Sequence, residues 1–288
     1  MSVGPVRISG EGAGGGVERA SLDCSFEVTK STKREPNTAT CKIWNLSPEH
    51  RRQLDRTSRL ALTIEAGYVD STSLLFSGDV RVAQSGPGVE RRRKADKTKM
   101  RGVRDSVDIV TEIEAEDGGN SYRTATVQRS FARGTPVTAV LRAAVEAMGI
   151  GEGNLYELGL DASLGDVGMY ENGTVLAGQA HREVDRIVRS CGLTWSVQNG
   201  ALQLKRGRNA LATSAVRLSP STGLVGSPSM DADGFVEAVS LLNGSLYPGR
   251  PVVLASRDIE GSFQVKRVRH AGETTGQEWY SHTVLKAR

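Results

Sequence analysis

Hydrophobic and polar residues alternate along the opening part of the chain. In SLDCSFEVTK, Leu22, Cys24, Phe26 and Val28 fall on one side and Asp23, Ser25, Glu27 and Thr29 on the other, the period of two that marks a strand with one buried face. The same grammar returns in NTATCKIWNL, LALTIEAGY, SLLFSGDVRV and DIVTEIEAEDG, with one short helix, SPEHRRQL, interrupting the series. The pattern predicts a β-barrel or sandwich for this region.

After the strand-like YRTATVQRSF the period changes. In TPVTAVLRAAVEAMG, Val137, Val140, Leu141, Ala144, Val145 and Met148 recur at helical spacing, with Thr135 as the expected cap, Pro136 at the first helical position and Gly149 as a left-handed stop. A second helix is predicted over LAGQAHREVDRIVRSCG, burying Ala180, Val184, Ile187, Val188 and Cys191 and ending at Gly192. It runs into LTWSVQNGALQLKR. There Asn199 and Gly200 supply the two residues of a type I′ turn, with Leu193, Trp195 and Val197 alternating before it and Leu202 and Leu204 after it.

From Ala215 onward the strand grammar resumes. Gly223, Gly226 and Pro228 punctuate one stretch, Pro248 and Gly249 mark a turn, and GSFQVKRVRH is expected to set Phe263, Val265 and Arg267 against Gln264, Lys266 and Val268. The last strand reads EWYSHTVLKA. The expected architecture is mainly β (α+β): two β-barrels, over residues 1–127 and 214–288, separated by a small α/β domain over residues 128–213.

A chain of 288 residues with 38% hydrophobic content can bury more than one core. No apolar run approaches the roughly 20 residues needed to cross a bilayer, and MSVGPVRISG lacks the layout of a secretory signal. The expectation is a chain made in the cytosol that inserts in no membrane. Cys24, Cys41 and Cys191 are an odd set on periodic apolar faces, read as buried thiols rather than a disulfide framework or a metal site.

The formal charge of +4 is too small over this length to imply nucleic-acid binding. Its distribution is uneven. Between Glu90 and Asp105 eight basic residues face three acidic ones. Arg91, Arg92, Arg93, Lys94, Lys97, Lys99 and Arg101 are the candidate partner-docking residues, against the plainer reading of a solvated loop. No aromatic residue interleaves them to stack bases.

The motif order carries a family resemblance. PNTATCKIWNLSPEHRR, AGY, LFSGDV and AEDG, followed later by TGLVGSP, LYPGRPVVLAS and GSFQVKRVRHAGETTGQEWYSHTV, resembles the baseplate hub proteins of phage tails, including the T-even hub and the base of type VI secretion spikes. The resemblance covers most of the chain. It implies two tail-tube-like barrels per chain in a homotrimer that joins the six-fold tail tube to a three-fold central spike and continues the DNA channel. The implied partners are tube or distal tail proteins above, a separate spike protein below, and phage DNA only in transit. The implied location is the baseplate of a virion tail, assembled in the host cytoplasm. No glycine-rich needle repeat follows the last strand.

Catalytic signatures are sparse. His50 lies in the short helix, His181 on the polar side of the second long helix, and His270 and His282 on neighbouring strands where they could approach each other. None stands in a metal-ligand motif, no nucleophile elbow occurs, and GEGAGGGVE lacks the Lys-Ser/Thr of a phosphate loop. The expectation is no catalytic residue, no metal, no cofactor and no enzymatic activity. Two other readings remain open: a tail-associated peptidoglycan hydrolase, which would need a carboxylate pair across a sugar cleft, and a nucleic-acid-binding barrel. Trp44 is expected as a packing anchor or interface plug, Trp195 in a core, and Trp279 in a core or at a subunit interface.

Overall fold

The computed structural model describes residues 2–3, 6–7, 22–56, 60–68, 71–87, 108–158, 168–207 and 209–288. The opening strands are the short β1 (Ser2–Val3) and β2 (Val6–Arg7), then β3 (Cys24–Ser31) and β4 (Thr38–Trp44). Helix α1 (Pro48–Arg56) follows, its start held by Ser47, whose Oγ accepts the backbone N–H of His50 at 3.2 Å. Strands β5 (Ala61–Tyr68), β6 (Ser71–Pro87) and β7 (Ile109–Glu116) complete the region. As the alternation predicts, Cys24, Phe26 and Val28 point inward with Cys41, Ile43, Leu62, Ile64, Phe76 and Ile113, forming one core. Each fully buried large aliphatic or aromatic side chain of this kind contributes about 1.5–3 kcal/mol.

The middle of the chain builds a second body. Helix α2 (Gly119–Thr124) leads into β8 (Thr126–Phe131), so Tyr122 to Thr124 are helical where an extended strand was expected. Strand β9 (Thr135–Pro136) pairs with β10 (Met169–Tyr170), and α3 (Val137–Ala147) starts at Val137. Pro136 is therefore the residue before the helix, and the Thr135 hydroxyl donates to the Ala132 carbonyl at 2.7 Å instead of capping. Gly149 and Gly192 close the two long helices with φ of 66° each, the left-handed stop that glycine adopts without strain. Strand β11 (Thr174–Gln179) pairs with β8, and takes the four residues from Leu176 that had been assigned to the second helix, which begins at Ala180. That helix, α4 (Ala180–Ser190), buries Ala180, Val184, Ile187 and Val188 against α3 and against the hairpin of β12 (Leu193–Gln198) and β13 (Ala201–Arg206). Trp195 is core, 3% exposed.

The last region contains β14 (Val216–Leu218), a 3₁₀ turn at Pro220–Thr222, β15 (Leu224–Met230), β16 (Phe235–Leu241), β17 (Pro251–Ala255), β18 (Glu260–Glu273) and β19 (Trp279–Ala287). Leu218, Val236, Leu254, Val265, Val268 and Leu285 form its own core. All three cysteines are buried free thiols.

The opening and closing regions share one sheet. Its path runs β2, β1, β5, β6, β7, β4, β3, β18, β19, β16, β15, with β17 against β18 and β14 parallel to β17. The protein is mainly β. Among the described residues this path closes no barrel, and the opening and closing regions, each expected as a barrel, are joined through the pairing of β3 with β18. Strand β18 makes the connection possible. Its first half, Glu260 to Gln264, pairs with β17, and its second half, Arg267 to Glu273, pairs with β3. Between the halves the register against β19 slips by one residue at Lys266. The bulge reverses which face points inward: Phe263 and Val265 are buried before it, Val268 and His270 after it. Arg267, expected beside Val265, is consequently exposed, and Val268 is inside.

Candidate functional site

Where the three regions meet, polar side chains that are almost wholly buried replace apolar packing. Lys30 is the last inward position of β3, in phase with Cys24, Phe26 and Val28, and is 3% exposed. Asn37 opens β4 from a buried position, and Asp117 follows directly on β7. Into this corner projects the β12–β13 turn. Asn199 and Gly200 have φ of 53° and 74°, the left-handed pair of a type I′ turn. The turn was legible, but its tip is docked rather than free.

Asp117 holds it. Its Oδ2 accepts the backbone N–H of Asn199 at 2.6 Å and its Oδ1 that of Gly200 at 2.5 Å. Asn37 Nδ2 donates to the Val197 carbonyl at 2.7 Å, and also reaches Gln198 and Asp117. Gln198 Nε2 donates to the Ser31 carbonyl at 2.9 Å, and Lys30 Nζ donates to Asn199 Oδ1 at 2.6 Å. Nearby, an exposed ion pair joins Arg34 to Asp185 of α4 at 2.7 Å. On the other side of the hairpin Lys205 Nζ donates to Gln264 Oε1 of β18 at 3.3 Å. The middle body is thus fixed to both the opening and the closing region, at neighbouring strands in the middle of the shared sheet, by directional bonds that define one orientation.

A cavity of about 220 Å³ remains in the corner, lined by Lys30, Gln198, Asn199, Gln203, Tyr247 and His270 among others. Burial dominates its electrostatics. Lys30 titrates at about 8 rather than 10.5 because desolvation disfavours the ammonium, only partly opposed by Asp117. Asp117 is raised above its ordinary value for the same reason, although the turn N–H groups, Lys30 and Asn37 all favour its anion. His270 is pushed down to about 3 by burial first and by Lys30 second. Its neutral ring is locked in place: Nδ1 lies 2.8 Å from the Ser281 hydroxyl, whose oxygen accepts the Asn243 N–H at 2.9 Å.

The opposite face of the sheet is continuous and largely polar. One cross-strand row runs Tyr280, Ala271, Glu27, Thr40, Glu114, Val82, passing from the closing to the opening region without a break. The neighbouring row runs Val239, His282, Arg269, Thr29, Thr38, Glu116. Ion pairs stitch this face: Arg269 to Glu27 at 2.9 Å and to Glu278 at 3.6 Å, and Lys42 to Glu112 at 3.4 Å.

The histidines do not converge. His270 pairs with Ser281 and Arg269 with His282, so His270 and His282 point to opposite faces of the sheet and the expected approach does not occur. His181 stacks on Tyr122 with ring centroids 4.4 Å apart, and His50 is exposed on α1. Among the described residues, no three His, Cys, Asp or Glu side chains are grouped to hold a metal ion. Trp279 packs edge-on against Phe26 at 5.7 Å, joining the closing strand to the first core. Trp44 is half-buried at the end of β4. The seven basic candidates, Arg91, Arg92, Arg93, Lys94, Lys97, Lys99 and Arg101, lie outside the described residues.

Lys30, Asn37 and Asp117 were not singled out from the sequence. One signal for Lys30 was present, because the alternation that sends Val28 inward sends Lys30 inward two residues later. Asp117 carried none, since its partners lie 82 and 83 residues away.

The strand order and the interlocked middle body can be compared with known folds. The structure superposes on the 43 kDa tail protein of prophage MuSo2 from Shewanella oneidensis with a TM-score of 0.58, covering 92% of this chain and 96% of that one at 8% identity. The chain shares the fold of this tail protein. A tail protein from Neisseria meningitidis MC58 matches equally, with a TM-score of 0.58, 91% of both chains covered and 8% identity. No protein-family model matches the sequence, and no curated protein matches it. At this identity the likeness is one of architecture, held in common by chains whose side chains have almost entirely diverged.

Proposed function

We propose that this chain is a structural hub of a phage or phage-derived tail, a homotrimer without a reaction of its own that joins a six-fold tube to a three-fold spike. The end-to-end match to tail proteins, over nine-tenths of both chains, carries the reading. Two sheet regions per chain, three chains per ring, present six comparable units, so a three-fold object can meet a six-fold one without unmatched edges. In this reading residues 1–127 and 214–288 supply the paired units and residues 128–213 brace them from outside.

The continuous polar face suits the wall of a channel. A sheet that passes from one unit to the next without interruption offers a smooth surface, and its glutamates are largely matched by bases: Glu27 by Arg269, Glu112 by Lys42, and Glu116 by Arg81 and Arg123. A wall whose charges are matched in this way carries no strong positive field, so DNA in transit is not held. The partners are tube-side tail proteins above and a separate spike below, in a virion tail.

The experiment is a native mass of the purified protein alone and with its tail neighbours, followed by a map of the assembly. A three-fold ring with this polar face turned inward is the expected result. A monomer at high concentration that joins no tail protein overturns the proposal.

A further inference from the structure

At the corner between β3 and the β12–β13 turn, an amine and a side-chain amide face each other. Lys30 Nζ lies 2.6 Å from Asn199 Oδ1. With a carbonyl bond of about 1.2 Å, the nitrogen is then no farther than about 3.8 Å from the amide carbon, at the margin of the roughly 3–3.5 Å from which attack proceeds. The carboxylate of Asp117 is fixed beside the same residue, accepting the Asn199 backbone N–H at 2.6 Å. Leu74, Leu75 and Tyr247 line the adjoining space, together with His270, which burial keeps neutral and whose Nδ1 lies against the Ser281 hydroxyl.

We propose that Lys30 and Asn199 condense into an intramolecular isopeptide bond, with Asp117 as the proton carrier. The Lys30 ammonium gives one proton to Asp117. The free amine then attacks the amide carbon of Asn199, forming the new C–N bond and a tetrahedral centre. A proton moves from the attacking nitrogen to the original amide nitrogen. That C–N bond breaks, ammonia leaves, and the proton held by Asp117 departs with it as ammonium. Nothing is oxidised or reduced and no other reactant is needed. The environment lowers the cost of the first transfer, since burial reduces the affinity of Lys30 for its proton and raises that of Asp117.

The product would tie the opening sheet to the middle body across 169 residues of chain. A cross-link closing so long a loop removes conformations from the unfolded state, and it converts a hydrogen-bonded junction into one that survives pulling. The inference stands on the corner geometry and is independent of the hub reading.

The test is the denatured intact mass of the full chain, followed by digestion. Wild-type protein should be lighter than its sequence mass by one ammonia and yield a branched peptide joining Lys30 to Asn199, while Lys30→Arg and Asp117→Asn should return to full mass. Asn199–Gly200 can also lose ammonia by closing a succinimide on its own backbone. A loss that persists in Lys30→Arg, or that comes with no branched peptide, identifies the succinimide and overturns the proposal. Wild-type protein at full sequence mass after long incubation at pH near 8 overturns it too. A branched peptide in folded Asp117→Asn removes Asp117 from the reaction. Should that variant not fold, the wild-type mass and Lys30→Arg still decide.

Discussion

Asp117 Oδ1 lies 2.5 Å from the backbone nitrogen of Gly200, across 83 residues of chain. With Oδ2 on the Asn199 N–H, one carboxylate satisfies both successive N–H groups of a turn whose left-handed backbone points them the same way. Replacing it by alanine leaves two donors in a largely buried corner without their acceptor. Asp117→Ala should lose about 2–4 kcal/mol of unfolding free energy. The measurement is urea unfolding in a Lys30→Arg background, which keeps any cross-link out of the comparison. A loss below about 0.5 kcal/mol, the size of an ordinary surface change, would mean that the turn does not dock there.

His270 makes the fold acid-sensitive in a calculable direction. Its ring titrates at about 3 in the folded chain against 6.5 unfolded. Above 6.5 both states are neutral and the group has no effect. As the pH falls from 6.5 toward 3 the unfolded chain takes up a proton that the buried ring refuses, so stability drops by about 1.4 kcal/mol for each unit. Asp117, raised in the fold, works the other way: its contribution is greatest below its unfolded value and fades as pH rises through the folded one. The two are separated by subtraction. The difference in unfolding free energy between wild type and His270→Gln should slope with pH between 6 and 4, and a flat difference counts against a neutral buried ring.

Strands and helices were legible because each is written locally. Cys24, Phe26 and Val28 alternate, Val184, Ile187 and Val188 recur at helical spacing, and Asn-Gly marks its turn whatever surrounds it. What joins them was not. The pairing of β3 with β18 couples Val28 to His270, a register set by sheet packing that no local window contains. The bulge at Lys266 was hidden for a related reason, because a single extra residue shifts the phase of an alternation that otherwise reads smoothly through Arg267. The polar junction was partly visible in the inward lysine of β3, while its partner Asp117 looked like the ordinary polar end of a strand.

Gly272 carries an aromatic lid. It sits in β18 opposite Phe26 on β3 and Trp279 on β19, and those two rings meet edge to face at 5.7 Å above it. A Cβ built on Gly272 would lie 2.5 Å from Phe26 Cζ and 2.7 Å from Trp279 Cζ3. Both rings would have to turn out of the contact that joins the closing strand to the first core. Gly272→Ala should therefore cost about 1–3 kcal/mol, the range for overpacking, despite alanine's better strand propensity. Thermal unfolding checks this, and Gly86→Ala, where nothing lies within 4 Å of the added carbon, is the control. Equal melting temperatures for the two variants would show that the rings yield freely.

The basic segment tests the proposed assembly from the sequence side. Arg91, Arg92, Arg93 and Lys94 place four positive charges in consecutive positions. If they dock an acidic neighbour in the tail, their contribution is electrostatic and is screened by salt over a Debye length of about 8 Å at physiological ionic strength. Replacing all four by Gln should weaken assembly with tail neighbours at low salt and matter progressively less as salt is added, leaving the unfolding midpoint of the isolated chain unchanged. Light scattering or sedimentation of the mixed components across a salt series reads both slopes. Parallel curves for wild type and variant would assign the segment to solvation alone. A lowered unfolding midpoint in the variant would show instead that these charges serve the fold rather than a partner.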